Sequence, residues 1–483
     1  MMEQTDVLVV GAGPTGLATA CALLLQGVRV RVIDKADGPA TTSRANFLHA
    51  RGSEVLDRLG ALGDLPARSV RAMSIVTYLG GEPIMRIRFG DPGMRTAAPP
   101  MVISQAAVEA QLRDRFAQLG GEIRWSTVLD RIRQDEDAVT ARLGGGEEVH
   151  AGWLVGCDGA GSATRNAVGI GFPGVKLTER FLLADLRLGW DLDRSGTTGW
   201  IHPDGMIGAM PMPGGLWRII AYDPGLTADK PTPGDIRARL VRIIPERTGL
   251  DAEILGSEWL SVFSVHRRLA TTYRRGRVLI AGDAAHTHAP FGGQGMLTGL
   301  GDAENVAWKL ALVVSGRADH RLLDTYEAER RPLATEVLRD TSALTKVNVA
   351  QTPVGRFVRD RLLVPVMSVA AVQRWVTYRT SQLWVSYRRG PLGGRALRRP
   401  RPGDRVSGVA GAELAGRWGM LRFDDELANI AREFLGNHIT AVDRRGSGDA
   451  LLIRPDGHLA WRGRDPDKLR GWLQRALTTG VAR

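Results

Sequence analysis

The sequence has only two cysteines, Cys21 and Cys157, among 483 residues. Both lie in apolar segments that we expect to be buried, and no CxxC pair occurs. This scarcity excludes a disulfide framework, dithiol redox chemistry and a cysteine zinc site. We therefore expect no metal centre and a reducing compartment.

Long hydrophobic runs are also missing. The longest candidate, Leu362 to Val372, contains Pro365 and falls short of the roughly 20 residues that span a bilayer. The slightly acidic N-terminus leads directly into a predicted strand and does not resemble a signal peptide. These absences predict a cytoplasmic protein without a membrane partner.

The chain lacks a long basic tail and any aromatic-basic repeat, although its formal net charge is +12. Its arginines are scattered, with short clusters at 267–268, 274–277 and 388–401. This distribution favours small-molecule ligands over nucleic acid. The length predicts two or three domains, and the sequence leaves monomer and homodimer open.

A strand, a glycine turn and a helix open the chain. The apolar run Asp6 to Val10 precedes Gly11-Ala-Gly-Pro-Thr-Gly16, and an Ala- and Leu-rich helix follows. Gly11 allows the tight turn, Gly13 allows close approach to a pyrophosphate, and Gly16 allows close helix packing. Pro14 and Thr15 complete the turn. A second strand from Val28 ends at Asp34 and Lys35, and Asp34 is predicted to bind ribose hydroxyls.

A second glycine segment lies more than 260 residues later. A predicted buried strand from Arg277 delivers Gly282 and Asp283 to its carboxyl end, where α/β sheets bind cofactors. Glycines at 292, 293 and 295 then precede a helix predicted over Thr298 to Leu312, whose first amides can meet a carbonyl or an anion. A third segment, Gly156 to Ser162 with Asp158, has the same design, and a capped helix is its structural alternative.

The remaining segments indicate a mixed architecture. Strands at Glu122–Trp125, Trp153–Cys157 and Arg277–Ala281 are expected to join the first two in a parallel sheet. Alternating apolar and polar residues predict an inserted antiparallel sheet. Its expected strands lie in Met73–Phe89, Phe181–Trp190, Gly199–Pro213 and Leu216–Pro224. Helices are expected over Arg321–Asn348 and Phe357–Tyr387, followed by a connector rich in Pro, Arg and Gly and a small α/β domain.

The three glycine segments, in this order, resemble the class A flavoprotein monooxygenases, the FAD-dependent aromatic hydroxylases. Further matches are Ser43-Arg44-Ala45, His49-Ala-Arg51, Gln105 and the helix Asp324 to Pro332. The tail, with Leu452 to Gly457 and Ala460-Trp461-Arg462, resembles the thioredoxin-like domain of the subgroup acting on aromatic polyketides, phenols and rifamycins.

The resemblance implies an α/β fold with a Rossmann-like FAD-binding domain of the para-hydroxybenzoate hydroxylase type. It implies an FAD-binding domain (1–72, 100–175 and 270–345), a substrate-binding domain (73–99 and 176–269), a helical linker region (346–398) and a thioredoxin-like C-terminal domain (399–483).

Residue roles follow from the same resemblance. Asp34 would hold the adenosine ribose, Arg44 would lie beside the pyrophosphate, and Gln105 and Asp283 would contact the ribitol. The implied cofactor set also includes Asp158, Gly282, Pro290, Gly293, Gly295, Met296 and Leu297. The amides of the last two would meet the flavin N1–C2=O edge. Many relatives have Asn at the position of Leu297, so a side-chain contact is lost here.

The implied reaction is hydroxylation of a bulky aromatic, phenolic or antibiotic-like substrate through a flavin C4a-hydroperoxide. NADPH or NADH would visit transiently as reductant, because no second dinucleotide motif follows a strand, and O2 is the co-substrate. Baeyer–Villiger oxygen insertion and flavin-dependent C=C reduction remain alternatives.

The substrate pocket is predicted from the inserted sheet and the flavin loop. Its expected lining is Met210, Met212, Trp217, Pro290 and Phe291, with core packing an equal alternative for the methionines and the tryptophan. No general base is evident. The weak candidates are His202, Arg218, Tyr222 and His266, each more often structural.

Overall fold

The computed structural model describes residues 3–42, 45–70, 74–88, 100–226, 231–288, 293–348, 353–358, 361–362, 364–367, 369–407, 411–443 and 448–478. Two eight-stranded sheets, a four-stranded sheet and one short strand pair organise these residues.

The first large sheet contains the predicted βαβ unit. In spatial order its main path is Arg274–Arg275, Val278–Ile280, Glu148–Gly156, Glu3–Val10, Val30–Ile33 and Ile123–Arg124. All pairs from Val278–Ile280 to Ile123–Arg124 are parallel, which confirms the expected parallel sheet. The sequence did not reveal the antiparallel hairpin Leu129–Gln134 and Val139–Leu143, which continues from Glu148–Gly156.

Helices pack against this sheet around the main core. Pro14–Leu25 and Gly295–Val314 are buried over most of their length because Ala and Leu dominate the first helix and Ala, Leu and Val dominate the second. The predicted start of the second helix at Thr298 was three residues late. The other helices of this region are Ala50–Leu59, Leu65–Arg68, Gln105–Gln118, Ala163–Ala167 and Asp324–Asn348.

The second large sheet is the predicted insertion. In spatial order it runs His286–Thr287, Glu253–Leu269, Gly174–Gly189, Trp217–Tyr222, Ile207–Pro211, Gly196–Ile201, Ser74–Leu79 and Glu82–Arg88. The predicted antiparallel pairing holds for its strand pairs except one, because Gly196–Ile201 pairs with Ser74–Leu79 in parallel. The two strands are far apart in the sequence, so no hairpin turn sets their relative direction.

One face of this sheet is covered by the helix Pro233–Thr248. Thr232 and Asp235 form a capping box at its start, and Gly249 ends it in the left-handed conformation. Its apolar side packs on the sheet through Ile236, Leu240, Ile243 and Ile244.

Short helices Pro353–Val358, Val364–Met367 and Ala370–Thr380 lead to the C-terminal region. There the sheet order is Ile439–Asp443, Trp418–Leu421, Ala450–Ile453 and Leu459–Gly463. Helices Gly411–Leu414, Asp425–Leu435 and Pro466–Thr478 accompany it. The thioredoxin-like classification and the domain limits stay predictions. None of the helices that the structure describes is long and apolar enough to cross a bilayer.

Candidate functional site

The first glycine turn is shaped by close backbone contacts. Gly11 has φ +106°, and a Cβ built on it would lie 2.4 Å from the carbonyl oxygen of Cys157. A Cβ on Gly16 would lie 1.9 Å from the carbonyl oxygen of Gly11. The turn therefore requires glycine at both positions, since any side chain would overlap the backbone.

Gly13 differs from its neighbours because a Cβ built on it would meet nothing within 4 Å. Open space therefore adjoins the N-terminus of Pro14–Leu25, where backbone amides favour an anion. Asp34 borders the same turn: its carboxylate accepts hydrogen bonds from the Ala12 amide at 2.6 Å and the Ala36 amide at 2.8 Å. Lys35 is exposed. These features fit a pyrophosphate with its attached ribose.

Thr15 brings the two distant glycine segments together. A Cβ on Gly282 would lie 2.5 Å from Thr15 Oγ1, and one on Gly299 would lie 2.3 Å from the same atom. Gly282 itself has φ +61° and precedes Asp283, which is exposed although its neighbours are buried. Gly282 and the helix Gly295–Val314 therefore both pack against Thr15, next to the first glycine turn.

The start of that helix is enclosed by side chains that the sequence did not assign to the site. A Cβ on Gly293 would lie 3.3 Å from Phe47 Cβ and 3.6 Å from His49 Nε2, while one on Gly295 would lie 3.6 Å from His288 Cε1. Met296 and Leu297 begin the helix and are buried. Gly293, with φ +61°, therefore has a backbone conformation that favours glycine, whereas a Cβ at Gly295 would make only an ordinary van der Waals contact.

Three predicted residues, Arg44, Pro290 and Phe291, lie outside the described residues. Gln105 begins the helix Gln105–Gln118, and its side-chain amide donates to Glu109 Oε1 at 2.8 Å. Burial raises the pKa of Glu109, while the hydrogen bond from Gln105 opposes that rise.

Asp158 serves as a local cap. Its carboxylate accepts hydrogen bonds from the Thr164 amide at 2.9 Å and from the Ser162 hydroxyl, at the start of Ala163–Ala167. The capped-helix alternative accounts for this side chain, and a cofactor contact by Asp158 stays a prediction.

The predicted pocket wall divides between two faces of the inserted sheet. Met210 and Met212 face Asn46, whose Nδ2 lies 3.3 and 3.5 Å from their sulfur atoms. Met212 also packs in one apolar cluster with Phe47. Trp217 is instead buried in the core beneath Pro233–Thr248. The core-packing alternative therefore holds for Trp217, whereas Met212 packs with Phe47, which in turn lies against Gly293 before the helix start.

Two of the weak catalytic candidates, Arg218 and Tyr222, make contacts within the inserted sheet. Arg218 is 1% exposed and holds Asp185 through two hydrogen bonds of 2.7 and 2.6 Å. Tyr222 packs against Phe181, with ring centroids 5.4 Å apart.

The two histidine candidates lie elsewhere in the sheet. His202 accepts a hydrogen bond from the Asp204 amide at 3.2 Å. His266 lies opposite Lys176 in the pairing of Glu253–Leu269 with Gly174–Gly189. These contacts support no general base. Among the residues described, no cluster of His, Cys, Asp or Glu side chains is arranged to hold a metal ion.

Comparison with known proteins agrees with this geometry. Residues 4–341 match the model of a family described as FAD binding domain. The chain is 35% identical to a rifampicin monooxygenase of Streptomyces venezuelae, over 96% of this chain and 97% of that protein. It is 39% identical to a 6-methylpretetramide 4-monooxygenase of Streptomyces rimosus, over 73% of this chain and 64% of that protein.

A solved structure extends the similarity to the whole fold. The OxyS anhydrotetracycline hydroxylase from Streptomyces rimosus superposes with a TM-score of 0.82 at 31% identity, covering 99% of this chain and 100% of that one. The open space at Gly13, the contacts of Thr15 and the enclosed helix start fit an extended FAD. The chain belongs to the FAD-binding family of class A flavoprotein monooxygenases and is an FAD-dependent aromatic monooxygenase.

Proposed function

We propose that this enzyme hydroxylates a bulky, multi-ring aromatic substrate of the polyketide or rifamycin type. The observation that carries the proposal is the wall of Met210, Met212, Asn46 and Phe47 beside the start of Gly295–Val314. Methionine side chains adapt to large, irregular ligands, and an apolar wall next to the flavin keeps water from the reacting atoms. The activities for which these relatives are named support the same substrate class.

Each end of the site has a role in this proposal. The amides at the start of Pro14–Leu25 bind the pyrophosphate, and Asp34 accepts hydrogen bonds from the adenosine ribose. Asp283, exposed beside the buried Gly282, binds a ribitol hydroxyl. The amides of Met296 and Leu297 donate to the flavin carbonyl edge, where the helix N-terminus stabilises negative charge on the reduced ring.

FAD, when bound, supplies the activation of O2 with electrons from NADPH or NADH. The protein orients the aromatic ring and excludes water. Because the described contacts support no general base, we propose that substrate placement, and not proton abstraction by a side chain, is the main contribution of the inserted sheet.

A substrate screen tests the proposal. Oxidation of NADPH and NADH is followed with tetracycline-type polyketides, rifamycins and simple phenols, while peroxide release is measured as uncoupling. We expect coupled O2 uptake only with a multi-ring substrate, and NMR of the product should show a new C–OH. A ring-expanded ester or lactone product would favour Baeyer–Villiger insertion, and substrate reduction without O2 uptake would favour a C=C reductase.

A pair of variants tests the wall itself. Met212→Ala removes a side chain beside Asn46. It should raise KM about tenfold for the substrate that gives coupled O2 uptake in the screen, which corresponds to a loss of roughly 1.4 kcal/mol in binding free energy. Trp217→Phe is the matched control, because Trp217 packs on the opposite face. It should lower stability and leave KM unchanged. Equal effects of both variants on KM would contradict the assignment of the wall.

A further inference from the structure

Asp302 lies behind the cofactor site and contacts both of its flavin-side segments. It belongs to the helix Gly295–Val314 and is 0% exposed. One carboxylate oxygen accepts hydrogen bonds from the Gly282 amide at 3.1 Å and from His286 Nε2 at 2.6 Å. A single side chain therefore connects the helix to the Gly282 turn.

Arg330 holds the second oxygen of the same carboxylate. Its Nε donates to Asp302 Oδ1 at 2.7 Å, and its other nitrogens donate to the Thr298 carbonyl at 2.8 Å and the Tyr387 hydroxyl at 2.9 Å. The guanidinium thus reaches the first turn of the helix. Contacts on both carboxylate oxygens fix the rotation of Asp302, because Arg330 presents a rigid, planar set of donors.

Gln382 supports the same helix turn from the linker region. Its Nε2 donates to Thr298 Oγ1 at 2.8 Å and lies 3.3 Å from Gln294 Oε1. Gln294, Thr298 and Gln382 are all buried. The first turn of the helix is therefore held by buried polar contacts from Arg330 and Gln382.

Charge at Asp302 is retained in spite of burial. Burial alone would raise the pKa of this carboxyl, but His286 and Arg330 more than offset it, so the pKa lies below its ordinary value. Replacing a buried ion pair with apolar packing is often neutral or stabilising, so folding stability gives no reason for an ion pair here. Fixing the relative position of two segments does give such a reason.

We propose that Asp302 is a positioning residue that sets the distance between the Gly282–Asp283 turn and the N-terminus of Gly295–Val314. With this distance fixed, Asp283 can contact the ribitol while the amides of Met296 and Leu297 contact the flavin carbonyl edge. The inference rests on the placement of FAD at Asp283, Met296 and Leu297 proposed above. Asp302 is fully buried behind Gly282 and acts on the cofactor through Gly282 and the helix.

Asp302→Asn tests the inference, with Glu304→Gln as a matched control. Glu304 lies on the same helix, is also buried, and pairs with Arg58 at 2.7 and 2.8 Å, but contacts neither Gly282 nor His286. Both changes replace a buried, paired carboxylate with an amide, so both should lower the melting temperature. Only Asp302→Asn should speed the release of FAD from the holoenzyme, by about tenfold, as measured by flavin fluorescence.

The midpoint potential provides a readout that a general loss of stability would not move. Weaker contact between the helix N-terminus and reduced flavin should lower the potential of Asp302→Asn. A tenfold loss of affinity for reduced relative to oxidised flavin corresponds to about 30 mV for a two-electron couple. Equal FAD release and equal potentials in the two variants would overturn the inference.

Two more variants address the case in which Asp302→Asn does not fold and the placement of FAD itself. If Asp302→Asn does not fold, His286→Leu removes the hydrogen bond from the imidazole, because leucine has no donor, and leaves the pair of Asp302 with Arg330. It should speed FAD release about threefold, and an unchanged rate would overturn the inference. Asp283→Ala tests the placement of FAD separately. Loss of FAD in Asp283→Ala together with normal retention in Asp302→Asn would reject only the role of Asp302.

Discussion

Gly13→Ala separates cofactor binding from folding in the first turn. A Cβ at this position meets nothing within 4 Å, and the backbone angles, φ −75° and ψ −178°, are accessible to alanine. Gly13 is also the N-cap of Pro14–Leu25. The methyl group would occupy open space that we assign to the pyrophosphate.

The expected change in the stability of the Gly13→Ala apoprotein is the sum of two opposing contributions. Alanine is a poorer N-cap than glycine, but it reduces the entropy of the unfolded chain by about 0.4–1 kcal/mol, so the two contributions nearly cancel. We expect the stability of the apoprotein to change by less than about 0.5 kcal/mol. Loss of a hydrogen bond to a charged phosphate costs about 2 kcal/mol, which raises the FAD dissociation constant roughly thirtyfold.

Gly16→Ala provides the contrast within the same turn. Its Cβ would lie 1.9 Å from the carbonyl oxygen of Gly11 and 3.3 Å from Cys157 Cβ. Forcing the strand and helix apart should destabilise the apoprotein by about 3 kcal/mol or more.

Urea unfolding of each apoprotein and FAD titration by fluorescence quenching measure both quantities. An FAD dissociation constant equal to that of the wild type in Gly13→Ala would refute the assignment of this space to the cofactor. A fully stable Gly16→Ala apoprotein would refute the packing argument.

Three further outcomes are expected. Asp283→Ala should leave the apoprotein stable, because the side chain is exposed, but its FAD should dissociate readily on gel filtration; tightly retained flavin would argue against the ribitol contact. Arg218→Met leaves the buried carboxylate of Asp185 uncompensated and should cost about 3–5 kcal/mol in urea unfolding. The double variant Arg218→Met with Asp185→Leu should recover most of that loss, and failure to recover would point to other contacts of Arg218. Burial lowers the pKa of His458 from 6.5 to about 4, so the unfolded chain binds a proton that the folded protein excludes. Stability should therefore fall by about 2 kcal/mol from pH 7.5 to pH 5, and His458→Gln should lack this component.

Local segments of the site could be predicted because neighbouring residues determine them. The strand before Gly11, the glycine turn and the helix after it depend on residues a few positions apart. The same holds for the strand that ends before Gly282 and for the helix beyond Gly295. Asp34 and Asp283 could be placed at strand ends for the same reason, since the carboxyl ends of parallel strands share one edge of a sheet.

Side-chain faces in the inserted sheet could not be predicted with the same success. Alternation shows that Trp217 and Met212 lie in strands or beside them, but it does not show which face meets the helix Pro233–Thr248. The parallel pairing of Gly196–Ile201 with Ser74–Leu79 was missed because no turn links those strands. The face on which a side chain lies and the direction of strand pairing both depend on how separate elements pack. A local sequence pattern contains no information about the element that packs against it.

The sequence by itself therefore determined the fold class and the cofactor. Only the tertiary structure decided that Thr15 contacts Gly282 and Gly299, that Phe47, His49 and His288 enclose the helix start, and that Asp302 joins this helix to the Gly282 turn. These contacts link residues from 7 to more than 280 positions apart. Their geometry is set by the packing of the helices Pro14–Leu25 and Gly295–Val314 on one sheet, which no single segment specifies.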